Sequence, residues 1–130
     1  MATIKSYTDL EQSKVLAKIL PLESADMWYQ HTGISIKDGS EKPIYFPMVI
    51  RDCESDEDIP AWSLAALLGV LPQSIEFKGD KYYLRFMKDY VEYGNDEISI
   101  TGRCLHTTGN DNLVDACYEM ILKLHELNLL

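Results

Sequence analysis

The sequence lacks most of the features that place a protein in a cell or on a membrane. It has three cysteines, at positions 53, 104 and 117, and an odd, scattered set does not make a disulfide framework. Cysteines without a disulfide framework indicate a reducing compartment, so we expect a cytoplasmic protein. No stretch approaches the roughly 18 consecutive apolar residues of a membrane span, and the first ten residues lack the apolar run of a signal peptide. We therefore expect no membrane partner.

Basic residues are scarce as well. The chain has 12 Lys and Arg against 21 Asp and Glu, and its formal net charge is −9. Non-specific binding to nucleic acid depends on clustered Lys and Arg that neutralise phosphates. The sequence contains no such cluster, so direct nucleic-acid binding is not expected.

Catalytic and metal-binding motifs are missing too. There is no serine-hydrolase elbow, phosphate-binding glycine loop or dinucleotide fingerprint. Residues 51–58 alternate acidic side chains like a calcium loop, but Glu57 stands where the sharp turn needs glycine. Cys104 and His106 share one side of a strand, without the paired spacing of zinc ligands. We predict no catalytic, cofactor-binding or metal residue, and whether the protein is an enzyme stays open.

The sequence does contain clear helix signals, the first over residues 8–20. Thr8 followed three residues later by Glu11 forms a capping box, and Pro21 prevents continuation. Apolar residues then recur on one face. These signals predict an N-terminal helix.

A central helix is predicted over residues 61–68 and includes Trp62. Asp58 would cap it, Pro60 would lie in its first turn, and Gly69 would end it in a left-handed conformation. It is apolar nearly all round, which predicts an interior position or a place under another subunit.

Strand signals are weak before this helix and stronger after it. Residues 27–50 contain short strand-like pieces, and the two prolines of residues 43–50 favour an edge strand or an extended crossing segment. After the central helix, alternation and turn residues predict a three-stranded antiparallel meander. Its strands are residues 74–77, residues 82–88 (continued or bent by residues 90–93) and residues 97–104. Residues 78–81 form a hairpin turn, and residues 107–111 form a connector.

The last helix, residues 112–130, has two apolar stripes at helical spacing, with Asn112 or Asp111 as its cap. We expect the first stripe to lie on the meander and the second to meet another helix or a copy of the chain. The first stripe contains Leu113, Cys117, Met120, Ile121, Leu124 and Leu127. The second contains Val114, Tyr118, Leu122, His125 and Leu129.

Two sets of residues are therefore candidates for an interaction surface. One is the second stripe of the last helix, through Tyr118, Leu122, His125 and Leu129. The other is an open face of the meander, where Tyr83 and Arg85 would be exposed beside further tyrosines.

Three blocks of the sequence resemble segments of short uncharacterised proteins from bacterial prophages and mobile elements. They are the opening TIKSYTDLEQSKVLAKILPLESADM, AWSLAALLGVLP and DACYEMILKLHELNLL. No functional residues are established for such proteins, so the resemblance implies only the type of protein and no site.

These observations predict one α+β domain over residues 1–130. An antiparallel sheet, made of the C-terminal meander and weaker N-terminal strands, would pack against N-terminal, central and C-terminal helices. The leading hypothesis is an accessory protein of phage type that binds an unknown protein partner or itself, as a possible homodimer. The alternative is a small-molecule-binding domain or small enzyme with a pocket between the sheet and the Trp62 helix.

Overall fold

The computed structural model describes residues 5–37, 39–48, 57–95, 104–109 and 112–130. The fold is α+β, as predicted. In chain order, the elements are α1 (Leu10–Leu16), a 3-10 turn (Leu22–Ser24), β1 (Met27–Lys37), β2 (Ser40–Met48), β3 (Ile59–Ala61), α2 (Leu64–Val70), β4 (Ser74–Phe77), β5 (Asp80–Met87), β6 (Tyr90–Gly94), β7 (Cys104–Gly109) and α3 (Leu113–Glu126).

The contacts divide the chain into two compact units. One is Tyr7–Ala66, and the other combines Met1–Ser6 with Leu67–Leu130. The first contains the sheet of β1, β2 and β3, and the second contains the meander and α3. A single domain over residues 1–130 stays a prediction.

The first unit is built on a long β-hairpin. β1 and β2 pair antiparallel along nearly their whole length, and β3 pairs with the other side of β1. Gly39, with φ of 77°, lies in the turn between β1 and β2. β2 is an edge strand, as its two prolines predict. The pieces predicted as weak strands are therefore two strands of 11 and 9 residues.

The N-cap of α1 differs from the prediction. Asp9 caps the helix: its carboxylate accepts from the Gln12 N–H at 2.8 Å, and the Gln12 carboxamide accepts from the Asp9 N–H at 3.1 Å. The predicted box of Thr8 and Glu11 is wrong because Thr8 is engaged elsewhere. Thr8 is buried; its N–H donates to the Trp62 carbonyl, and its hydroxyl accepts from the Trp62 N–H.

The same threonine anchors the core of the first unit. The Tyr29 hydroxyl donates to the Thr8 carbonyl at 2.8 Å, which joins β1 to the segment before α1. α1 ends at Leu16, and residues 17–20 form turns rather than the predicted last helical turn. Met27, Tyr29 and Ala61 form a buried cluster, against which Tyr7, Leu10, Tyr45 and Ile59 pack.

The central helix starts later than predicted because residues 59–61 pair as β3 with β1. Ser63 is its cap, since the Ser63 hydroxyl accepts from the Ala66 N–H at 3.2 Å. Asp58, predicted for that role, accepts instead from the backbone N–H of His31 at 2.9 Å. Gly69 lies inside α2 and does not end it in a left-handed conformation.

The interior position, one of the two alternatives predicted for this helix, is wrong, and a place under another subunit stays a prediction. Within α2, only Leu67 is buried. Trp62 lies before the helix rather than in it, and it is fully buried. Its indole N–H donates to the Ser24 hydroxyl at 2.9 Å, which satisfies the one polar atom of the buried side chain.

The second unit is an antiparallel meander of four strands, in the order β4-β5-β6-β7. Residues 90–93, predicted to continue or bend the second strand, belong to the separate strand β6. The last strand is Cys104–Gly109. Of the predicted strand at residues 97–104, residues 97–103 lie outside the described residues. Residues 107–109, predicted as a connector, belong to β7 because they pair with β6.

Two local predictions in this unit are confirmed. The hairpin turn predicted over residues 78–81 is present, and it consists of Lys78 and Gly79, with φ of 52° and 86°, since residues 80–81 belong to β5. Positive φ at both positions is typical of the type I′ hairpin turn. Asn112 caps α3, and its side-chain oxygen accepts from the Asp115 N–H at 2.8 Å.

Candidate interaction surfaces

α3 buries the stripe that was predicted to lie on the meander. The helix contacts β6 and β7, so one of its sides is covered by the sheet. Leu113 and Leu127, at the two ends of the first stripe, are half-buried. The four residues between them, Cys117, Met120, Ile121 and Leu124, are fully buried.

The second stripe is covered only in part. Val114 is fully buried, which leaves Tyr118, Leu122 and Leu129 half-buried and His125 exposed. These last four residues are called the outer strip of α3 below, although Leu129 lies beyond the end of α3 at Glu126 and the helix predicted over residues 112–130 is therefore too long. Each was predicted as an interaction residue, and the outer strip is bordered by the exposed side chains of Glu119 and Glu126. The helix thus has one fully covered side and one that keeps solvent access.

Burial between α3 and the meander suppresses reactive chemistry there. Desolvation raises the pKa of the Cys117 thiol to about 12. A thiol that stays protonated at neutral pH is a poor nucleophile and a poor metal ligand, so Cys117 behaves as a small apolar core residue. Burial, and then the adjacent Cys117, also raise the pKa of Tyr93, whose hydroxyl donates to the Pro72 carbonyl at 2.6 Å.

The alternation of the meander places Tyr83 and Arg85 on the sheet face opposite α3. Val91 and Tyr93 are fully buried, and pairing puts them on the same face as Phe86 and Leu84. The intervening β5 residues point to the other face, together with their partners on β6. This open face of the meander contains Ser74, Glu76, Lys81, Tyr83, Arg85, Met87, Tyr90 and Glu92, since Ser74 and Glu76 of β4 pair with Tyr83 and Lys81.

The arginine on the open face is held in place. Its guanidinium lies over Gly94, where an added Cβ would approach the Arg85 Cζ to 3.3 Å. It donates to the Asn95 carbonyl at 2.8 Å and lies 3.8 Å from the Glu92 carboxylate. Beside it, the Lys81 ammonium lies 5.5 Å from the centre of the Tyr83 ring. A pre-ordered Arg and Tyr lose little side-chain freedom on binding, as binding hot spots require.

A third surface, on the β1–β2 hairpin, escaped the sequence prediction. Four large apolar side chains are exposed there: Ile34 by 58%, Ile36 by 74%, Ile44 by 38% and Phe46 by 57%. They are called the apolar hairpin surface below. Alternation around Ser35 had predicted a strand, but a period of two does not reveal whether another element covers the apolar side.

The strand register shows that this surface occupies both sides of the hairpin. Ile34 pairs with Pro43, and Ile36 follows two residues later on the same face. Ile44 and Phe46 lie on the opposite face, since Ile44 pairs with Gly33 and side chains alternate along β2 from Pro43 to Phe46. Neither face of this part of the hairpin is covered by the described residues.

Polar clusters of the first unit have structural partners. The His31 Nδ1 lies 3.0 Å from the Glu57 carboxylate, and the ring meets Tyr45 edge-on. Among the described residues, no group of three or more His, Cys, Asp and Glu could hold a metal ion. Residues 51–56 of the acidic segment, which was not predicted to bind calcium, lie outside the described residues, and Cys53 is among them.

No family model matches the chain, and no curated protein or solved structure matches it either. In the described part of the chain, no helix is long and apolar enough to span a bilayer.

Proposed function

We propose that this chain is a small acidic accessory protein that works in the cytoplasm by binding another protein through the apolar hairpin surface. The exposure of Ile34, Ile36, Ile44 and Phe46 on one hairpin carries the proposal. Each face of this part of the hairpin presents a pair of large apolar side chains to water, and a partner that covers both pairs removes them from solvent.

The chemistry of β2 suggests how the partner is contacted. An exposed strand edge can accept another strand through its backbone, but Pro43 and Pro47 lack the N–H groups that this pairing needs. Contact through side chains is therefore favoured over extension of the sheet. Since apolar residues occupy both faces, the best-fitting partner offers an apolar groove that admits the hairpin.

The resemblance of three sequence blocks to short prophage and mobile-element proteins supports the accessory role. Proteins of this size that contain no catalytic motif can act by occupying a larger partner. The formal net charge of −9 keeps the chain soluble despite the apolar hairpin surface.

The test compares proteins captured by the tagged wild-type chain with those captured by the double variant Ile34→Thr/Ile36→Thr. Threonine keeps the β-branched shape that suits a strand and removes apolar surface. We expect partners enriched by the wild type to be lost about tenfold or more from the variant, as removal of two central apolar anchors predicts. Quantitative mass spectrometry measures the ratio.

The matched control is Glu41→Gln/Lys42→Gln, which alters two exposed polar residues of the same hairpin without changing net charge. It should capture the same partners as the wild type. If wild type, control and threonine variant all enrich the same proteins equally, the hairpin is not the binding surface and the proposal fails.

A further inference from the structure

We draw no further inference here: the strongest candidate, the open face of the meander around Tyr83 and Arg85, balances its basic side chains with Glu76 and Glu92 of the same face, and nothing in the structure shows what covers it.

Discussion

The meander and the β1–β2 hairpin are both antiparallel, and in both the side chains alternate between two faces, yet they differ in the burial of their apolar side chains. In the meander, Val91 and Tyr93 are fully buried beneath α3. In the hairpin, Ile34 and Ile36 alternate just as regularly and are more than half exposed. Alternation gives a strand one apolar and one polar side, but only contact with another element determines whether the apolar side is buried.

The difference separates residues that stabilise the fold from residues that are available for binding. A side chain that is buried in the native state contributes its transfer free energy and its packing to stability. An exposed apolar side chain contributes little to stability and gains that free energy only when a partner covers it. Substitutions in the two regions should therefore affect different measurements.

The largest effect is expected for Leu124→Ala, at the buried centre of α3. Deleting a fully buried leucine side chain should lower the free energy of unfolding by about 2–5 kcal/mol, through lost transfer and the cavity left behind. Urea denaturation measures the change. Leu122→Ala, the same substitution at a half-buried position of the same helix, should cost less than half as much. Equal costs would show that Leu122 is as well packed as Leu124, which would contradict a helix that is fully covered on one side only.

A second prediction concerns pH and the core of the second unit. Burial raises the pKa of Cys117 from 9.0 to about 12, so its contribution to stability is fully present below pH 9 and is lost as pH rises toward 12. The loss should approach about 1.4 kcal/mol per pH unit in that window. Urea denaturation of wild type and Cys117→Ala across this range isolates the thiol. Parallel curves for the two proteins would contradict its burial.

A smaller effect is expected in the turn between β4 and β5. Lys78 has a φ of 52°, a conformation that asparagine adopts at lower cost, and asparagine–glycine is the preferred pair in a type I′ turn. Lys78→Asn should raise the free energy of unfolding by about 0.5 kcal/mol. Lys88→Asn, in the next hairpin turn and without a positive φ, should not stabilise the protein. A thermal melt that ranks the two variants the other way would refute the turn assignment.

The smallest effect on stability is expected for Ile36→Thr in the hairpin. Because this side chain is 74% exposed, the substitution should change the free energy of unfolding by less than about 0.5 kcal/mol. Binding of a hydrophobic dye to the folded protein should nevertheless fall. A destabilisation as large as that of Leu124→Ala would mean that the isoleucine is packed, which would remove the basis of the proposed function.

Local signals in the sequence were sufficient for several elements. Asn112 or Asp111 before an apolar run predicted the start of α3, and residues 78–81 between two apolar stretches predicted a hairpin turn. The prolines of residues 43–50 predicted an edge strand or an extended crossing segment, and the first of these is observed. In each case the determining interaction lies within a few residues of the chain, so the local sequence contains the information.

The predictions that were wrong depended on residues far apart in the chain. Threonine and aspartate are both residue types that cap helices well. The hydroxyl of Thr8, however, accepts from the Trp62 backbone N–H, and the carboxylate of Asp58 accepts from the His31 backbone N–H. A helix was predicted to begin at Ala61, with Pro60 in its first turn, and residues 59–61 instead pair with β1. A distant partner outcompeted the local preference each time.

For the candidate surfaces, the sequence by itself identified which residues share a side of a strand or helix. It placed Tyr83 with Arg85, and Tyr118 with Leu122, His125 and Leu129, because side-chain periodicity is a property of the backbone alone. Only the tertiary structure determined which of those sides is covered. It buried Val114 and Cys117, left His125 exposed, and left the isoleucines of β1 in solvent. Burial depends on contacts between elements, and periodicity within one element cannot specify those contacts.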